Sequence, residues 1–184
     1  MQELKRPHGR LSVVPFAQRH LTDRYVAWLN DEETMRHSEN RHRTHTLESC
    51  RAYWQSFERS PHFFWAIETE DLGHIGNINA YLDPPNETAD VGILIGHRES
   101  WGHGYGLEAW MLVAQFLFES QGIRKLTAGT AANNIGMLKI MERAGMQPDG
   151  RRARQLLIDG AEVDVVYTAV FSDQWPPIWR SWTA

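Results

Sequence analysis

"GHRESWGHGYGLEAW" (96–110) places glycine at positions 96, 102, 104 and 106, and a helix-compatible run follows at once. Glycine is unfavourable inside helices and strands, so this density marks unusual backbone angles or something lying very close to the backbone. The flanking residues read as a strand ending near Gly96 and a helix starting near Gly104. A helix start leaves backbone N–H groups unpaired and carries a partial positive charge. Glycines beside it let an anion sit there without meeting a Cβ. The stretch is thus a candidate bed for a phosphate or pyrophosphate, with Arg98 and His103 at its rim. A plain change of direction needs one or two glycines, not Gly102, Gly104 and Gly106 in alternation.

The flanks supply the architecture. "RLSVVPF" (10–16) reads as a strand. "LTDRYVAWLNDEETMRH" (21–37) reads as one helix capped by Thr22, and "TLESCRAYWQSFERS" (46–60) as another capped by Thr46. "ENRHRTH" (39–45) between them is a polar loop. "FFWAIET" (63–69), "HIGNINAYL" (74–82) and "ADVGILIG" (89–96) form three strands joined by short turns, hence an antiparallel meander. The third is nearly all apolar, which suits a central strand. "LEAWMLVAQFLFES" (107–120) is a long buried helix closed by Gly122. It leads to "KLTAGTA" (125–131), which a helical crossover places parallel to the third strand. "NIGMLKIMERAGM" (134–146) is a short amphipathic helix, and "RQLLI" and "VDVVYTAVF" flank an Asp-Gly hairpin turn at 159–160.

Three phosphate-binding designs compete for the glycine stretch. A P-loop needs Gly-Lys-Ser/Thr, which is absent. "GYGLEA" (104–109) satisfies the dinucleotide fingerprint G-x-G-x-x-A. That design expects parallel strands before the motif and an acidic residue ending the next strand, and neither is present. The third fits the whole order of elements. The chain resembles the GNAT superfamily of acyl-CoA-dependent N-acetyltransferases over residues 10–171. The family's Q/R-x-x-G-x-G/A signature reads here as "WGHGYG" (101–106), with Trp101 in place of Gln or Arg. The wider pattern is similar to the branch of ribosomal-protein N-terminal acetyltransferases and related small-amine enzymes. "NIGMLKIMERAGM" matches a second family block, and "IDGAEVD" (158–164) resembles that branch's final hairpin.

The resemblance implies a mixed α/β (α+β) fold. Its central sheet has about seven strands split in a V, and about four helices flank it. It implies acetyl-CoA in the split. The backbone of Leu94, Ile95 and Gly96 is expected along the pantetheine arm, the amides of Trp101, Gly102, His103, Gly104, Tyr105 and Gly106 around the pyrophosphate, and Asn134 on the cofactor arm. Positions where some relatives carry Tyr or Ser for the leaving thiolate hold Met141 and Met137, which have no proton to give. Amine attack on a thioester needs a base. Asp90, at the start of the central strand, and His74, on its neighbour, are the candidates. Asn77, Asn79 and Tyr81 are expected towards the acceptor, with His74 on the opposite face of the strand from the two asparagines. Arg41 and His42 in the 39–45 loop are candidates for an anionic part of the acceptor.

Composition bounds the alternatives. The chain has 184 residues, a net charge of −4, and nothing that suggests a second domain or an internal repeat, so one domain is expected over 1–184. There is no Lys/Arg excess for nucleic acid, no long apolar run for a membrane, no metal-ligand pattern, and a single cysteine, Cys50. "MQELKRPHGR" has no apolar run of a secretory leader, so a cytoplasmic chain is expected. The tail "DQWPPIWRSWTA" holds three of the eight tryptophans. Its prolines argue against a regular helix, and its tryptophans are expected to cover either the domain's own flank or a second subunit, making a homodimer one option. Three functions stay open: acetylation of a small primary amine such as an amino sugar or amino acid derivative, acetylation of a protein N-terminus, and acyl-CoA binding without catalysis.

Overall fold

The alternating apolar residues of the first strand and the turns of the meander build one edge of a seven-stranded sheet. The computed structural model describes residues 2–183. The strands are β1 (Leu11–Pro15), β2 (Phe63–Thr69), β3 (Gly73–Asp83), β4 (Thr88–Ile95), β5 (Lys125–Ala131), β6 (Gln147–Ile158) and β7 (Ala161–Phe171). They lie in the order β1-β2-β3-β4-β5-β7-β6. All neighbours are antiparallel except β4 and β5, which run parallel and pair only over Thr88–Asp90 and Lys125–Thr127. Beyond that point the two strands part, and this is the split of the sheet.

Helix α4 (Tyr105–Gln121) makes the crossover. It is buried on nearly every side from Leu107 to Phe118 and lies in the main core with Trp65, Ile67, Ile78, Val91 and Leu126. Gly122 ends it in the left-handed conformation at φ 66°. Helix α5 (Ile135–Arg143) packs beside it. The opposite face of the sheet is covered by α1 (Asp23–Leu29) and α3 (Leu47–Gln55), which pack Tyr25, Trp28 and Cys50 on Val14, Phe64 and Ala66. The Asp159-Gly160 turn has both residues at positive φ, 52° and 78°, the pattern of a tight hairpin turn.

Six α-helices form among the described residues where about four were expected, and both extra ones have local causes. The run 21–37 is divided into α1 and α2 (Glu32–Met35). Asn30 turns its side chain to the backbone, donating to Val26 O at 3.1 Å and accepting from His45 N at 2.8 Å. Asp31 then caps a new helix by accepting from Thr34 N at 2.8 Å. The second extra helix, α6 (Trp175–Thr183), corrects the expectation for the tail. Pro176 and Pro177 sit in its first turn, where the missing amides have no helical partner to lose. The tail covers the chain's own flank. Trp175 is buried, donates its indole N–H to Gln115 Oε1 at 2.6 Å and packs on Phe118.

Candidate active site

The phase of the β4 backbone decides which groups the split exposes. Gly96 N–H donates to Ile75 O at 3.0 Å, so this amide already faces β3. Orientation alternates along an antiparallel strand, so Leu94, Gly92 and Asp90 also turn their backbone groups to β3. Val91, Ile93 and Ile95 turn theirs the other way, where no strand follows after Asp90. The expectation for Leu94 and Gly96 is thereby corrected. The free edge belongs to Val91, Ile93 and Ile95, and Trp101 takes part of it, since its Nε1 donates to Ile95 O at 2.7 Å. Gly96 is bare for another reason. A Cβ there would strike the Trp28 ring, which lies flat on the strand end.

The glycine stretch has the form of an anion bed. Gly104 caps α4 at φ 83° with no side chain on the helix start, and Gly102 lies at φ 77°. Among the described residues, no protein acceptor receives the amides of Gly102, His103 or Gly104. Tyr105 and Gly106 open the helix, so their amides lack helical partners too. Gly106 has a packing role besides, because a Cβ would lie 2.9 Å from Ile140 Cδ1 on α5. Arg98 is turned away from this bed, binding Asp31 at 2.7 and 2.9 Å and Glu33 at 2.8 Å. Asn134 caps α5 by accepting from Met137 N at 3.2 Å and donates to Thr130 Oγ1 at 2.9 Å. Both ends of its amide are therefore engaged within the chain.

Two residues around the bed went unread in the sequence. Arg10 donates from Nη1 to His103 O at 2.9 Å and from Nε to Glu108 Oε2 at 3.2 Å. Its guanidinium also lies 4.9 Å from the centre of the Tyr105 ring. Glu108, in the first turn of α4, is buried. The chain separation of 98 residues leaves no local signal for this pair.

On the other face of the sheet, Tyr81 pairs with Asp90 and Asp90 with Thr127, across three adjacent strands. Asp90 is open to solvent and accepts from Thr127 Oγ1 at 2.8 Å. The strands on either side leave the exposed carboxylate only partly hydrated, which raises its pKa above the ordinary carboxylate value, with the Thr127 bond opposing. Tyr81 and Tyr53 share a hydroxyl hydrogen bond of 2.8 Å, and both rings are exposed. Asn79 lies over bare Gly92, whose Cβ would stand 3.0 Å from Asn79 Oδ1. Beyond Thr127, the Tyr167 ring from β7 crosses bare Gly129.

His74 is placed differently from the expectation. Register jumps from Ile67↔Gly76 to Glu68↔His74, so Ile75 is an extra residue in β3. A bulge of one residue reverses which face later side chains take. His74 and Asn77 therefore share a face, with Nε2 and Oδ1 2.9 Å apart, and both are buried. Phe16, His20, Tyr25 and Trp28 surround the imidazole. Burial lowers its pKa to about 4, against smaller opposing effects from Asn77 and the Gly76 backbone.

A cavity of about 370 Å³ opens on the same side, between α1, α2, the 39–42 turn and the β6–β7 hairpin. Arg41 and His42 both line it, with Asp31, Arg36 and Asp159. Arg41 spends its guanidinium on Ser38 O, Glu39 and Leu157 O. His42 is exposed. Among the described residues, no group of three His, Cys, Asp or Glu is placed to hold a metal, and no helix is long and apolar enough to cross a membrane.

A family model described as an acetyltransferase (GNAT) domain matches residues 10–147. The probable N-acetyltransferase YjcK of Bacillus subtilis is 24% identical over 123 residues, covering 65% of this chain and 67% of that protein. Two solved structures carry the same fold. Spermidine N-acetyltransferase from Vibrio cholerae, in complex with CoA and spermine, has a TM-score of 0.80 at 15% identity, over 90% of this chain and 98% of that one. RimL, a ribosomal L7/L12 alpha-N-protein acetyltransferase in complex with coenzyme A, also scores 0.80, at 14% identity, over 92% of this chain and 97% of that one. A sheet split after Asp90, a free strand edge beside it and a glycine-capped helix at its mouth suit a long thioester with a pyrophosphate, and the chain belongs to the GNAT family of acetyl-CoA-dependent N-acetyltransferases.

Proposed function

We propose that the chain acetylates the primary amine of a small molecule, an amino sugar or amino acid derivative, with Asp90 as the base. The single observation that carries this is the position of Asp90. It is a solvent-open carboxylate of raised pKa, at the last β4–β5 pair, on the face opposite α4. Acetyl-CoA supplies the acetyl group as a thioester. Ile93 and Ile95 would hold its arm along the free edge, in place of Leu94 and Gly96, and Gly102 to Gly106 its pyrophosphate.

Transfer forms a C–N bond and breaks a C–S bond. The ammonium first loses a proton to become the nucleophilic amine, the nitrogen loses a second once the C–N bond has formed, and the departing sulfur takes one up. Asp90 is suited to the first task because its conjugate acid is held above the ordinary carboxylate value while the ion stays reachable. Thr127 orients it. His74 is the weaker candidate, because its imidazole is buried and held by Asn77. Asn79 and Tyr81 would contact the acceptor beside Asp90, with Asn77 supporting from beneath. Met137 and Met141 offer no proton to the sulfur, so water delivered through the solvent-open face is the simplest source.

The cavity of about 370 Å³ has walls of both signs of charge, and Asp90, Asn79 and Tyr81 do not line it, so it would take a part of the acceptor that extends away from the reacting amine. His42 and Arg36 would meet an anionic group of the acceptor, and Arg41 would shape the wall. The likeness to RimL supports the second reading, a peptide N-terminus. The two methionines support the third, CoA binding without transfer. Thiol release from acetyl-CoA, run with a panel of small amines and with peptides, separates all three. Turnover with a small amine supports the proposal. Acetylated peptides alone, or CoA binding with no turnover, would overturn it.

A further inference from the structure

We infer that Arg10, acting through Glu108, is a positioning residue that makes the glycine stretch able to accept pyrophosphate. This rests on the assignment of that stretch to CoA. Glu108 is 6% exposed and lies four residues after the Gly104 cap. At 1.5 Å per residue its carboxylate starts from about 6 Å below the bed, well within the reach of an unscreened charge. An acid in the first turn suits an empty helix start. Under a bound pyrophosphate the same acid is a like charge, and it needs a permanent counter-charge.

Arg10 provides one, with both carboxylate oxygens engaged. Its backbone N–H meets Oε1 at 3.0 Å, Nε meets Oε2 at 3.2 Å, and Nη2 meets Oε2 at 3.1 Å. The same guanidinium holds His103 O at 2.9 Å and covers the Tyr105 ring at 4.9 Å. It thus grips the chain on both sides of Gly104, a cap residue without side-chain support. Gly9 permits the approach, because a Cβ there would stand 3.0 Å from Glu108 Oε1. The planar fork of arginine makes these contacts together, which a lysine ammonium cannot do. Arg10 therefore cancels the buried charge and fixes the direction of the free amides.

The two effects separate from mere structural support in a double-variant cycle read by calorimetric titration with CoA. Arg10→Gln leaves Glu108 unpaired beneath the bed, and the Kd for CoA should rise about tenfold or more. Adding Glu108→Gln removes the stranded charge, and the double variant should recover to within about threefold of wild type. Support by contact alone predicts the reverse, since the double variant has lost more contacts. Should Arg10→Gln fail to fold, Arg10→Lys keeps the charge without the fork and should bind with intermediate affinity. The inference is overturned if folded Arg10→Gln, or Arg10→Lys in its place, binds CoA as wild type does. It also falls if the double variant binds no more tightly than Arg10→Gln. Wild type that does not bind CoA would instead overturn the site assignment beneath it.

Discussion

Asp90 and Thr127 are joined twice: they are the last pair linking β4 to β5, and Thr127 Oγ1 donates to the Asp90 carboxylate at 2.8 Å. The strands part at the very place where the carboxylate is tied. Desolvation raises its pKa, so the folded chain holds this proton to higher pH than the unfolded chain. Such a group favours folding at low pH, and that contribution is lost as pH rises through the folded pKa. Asp90→Asn keeps an acceptor for Thr127 and removes the charge. Its melting temperature at neutral pH should therefore equal or exceed that of wild type. A clear loss would show that the carboxylate charge stabilises the fold.

Gly104 and Gly106 should fail in different ways. Gly104 sits at φ 83°, where a Cβ costs about 1–2 kcal/mol, and it lines the bed itself. Gly104→Val should be less stable and should bind CoA poorly. Gly106→Ala should lose stability through its contact with Ile140 Cδ1. Ile140→Val removes that one methyl group, so Gly106→Ala/Ile140→Val should melt higher than Gly106→Ala. Thermal melts of the three variants beside a CoA titration check both statements.

His74 makes stability depend on pH. Burial lowers its pKa from 6.5 to about 4, so the unfolded chain binds the extra proton first as pH falls. Stability is full above 6.5 and is lost progressively down to about 4, by about 3 kcal/mol at 1.36 kcal/mol per pH unit. His20, lowered chiefly by burial with Glu68 opposing, adds in the same direction. Denaturant unfolding of wild type and His74→Phe at several pH values should show a smaller acid loss in the variant. Equal losses would contradict it.

The tail should be structural. Trp175 is 1% exposed and bonded to Gln115. Trp175→Ala should cost about 3–5 kcal/mol in denaturant unfolding. A cost under about 1 kcal/mol would mean that α6 is not part of the core.

Much of this was legible in the residues. The strand-like runs at 63–69, 74–82 and 89–96, the last nearly all apolar, and the long apolar helix after Gly106 give the meander and crossover. The face of His74 was not legible, because one unpaired residue, Ile75, reverses the alternation and leaves no sign in side-chain chemistry. That Ile93 and Ile95 turn their backbone groups to the split follows from the hydrogen bond Gly96 N–H donates to Ile75 O, a matter of pairing phase that side-chain chemistry does not reveal. The pair Arg10–Glu108 joins the first strand to the fourth helix, a contact only tertiary packing creates. In the tail, two prolines that usually forbid a helix instead begin one, since they fall in its first turn.

The most direct test is the rate of acetyl transfer by wild type and Asp90→Asn, followed by thiol release with acetyl-CoA and the panel of small amines. Wild type should turn over a small amine, and Asp90→Asn should do so about 10²–10⁴-fold more slowly with CoA affinity unchanged. An Asp90→Asn rate equal to that of wild type would rule out Asp90 as the base.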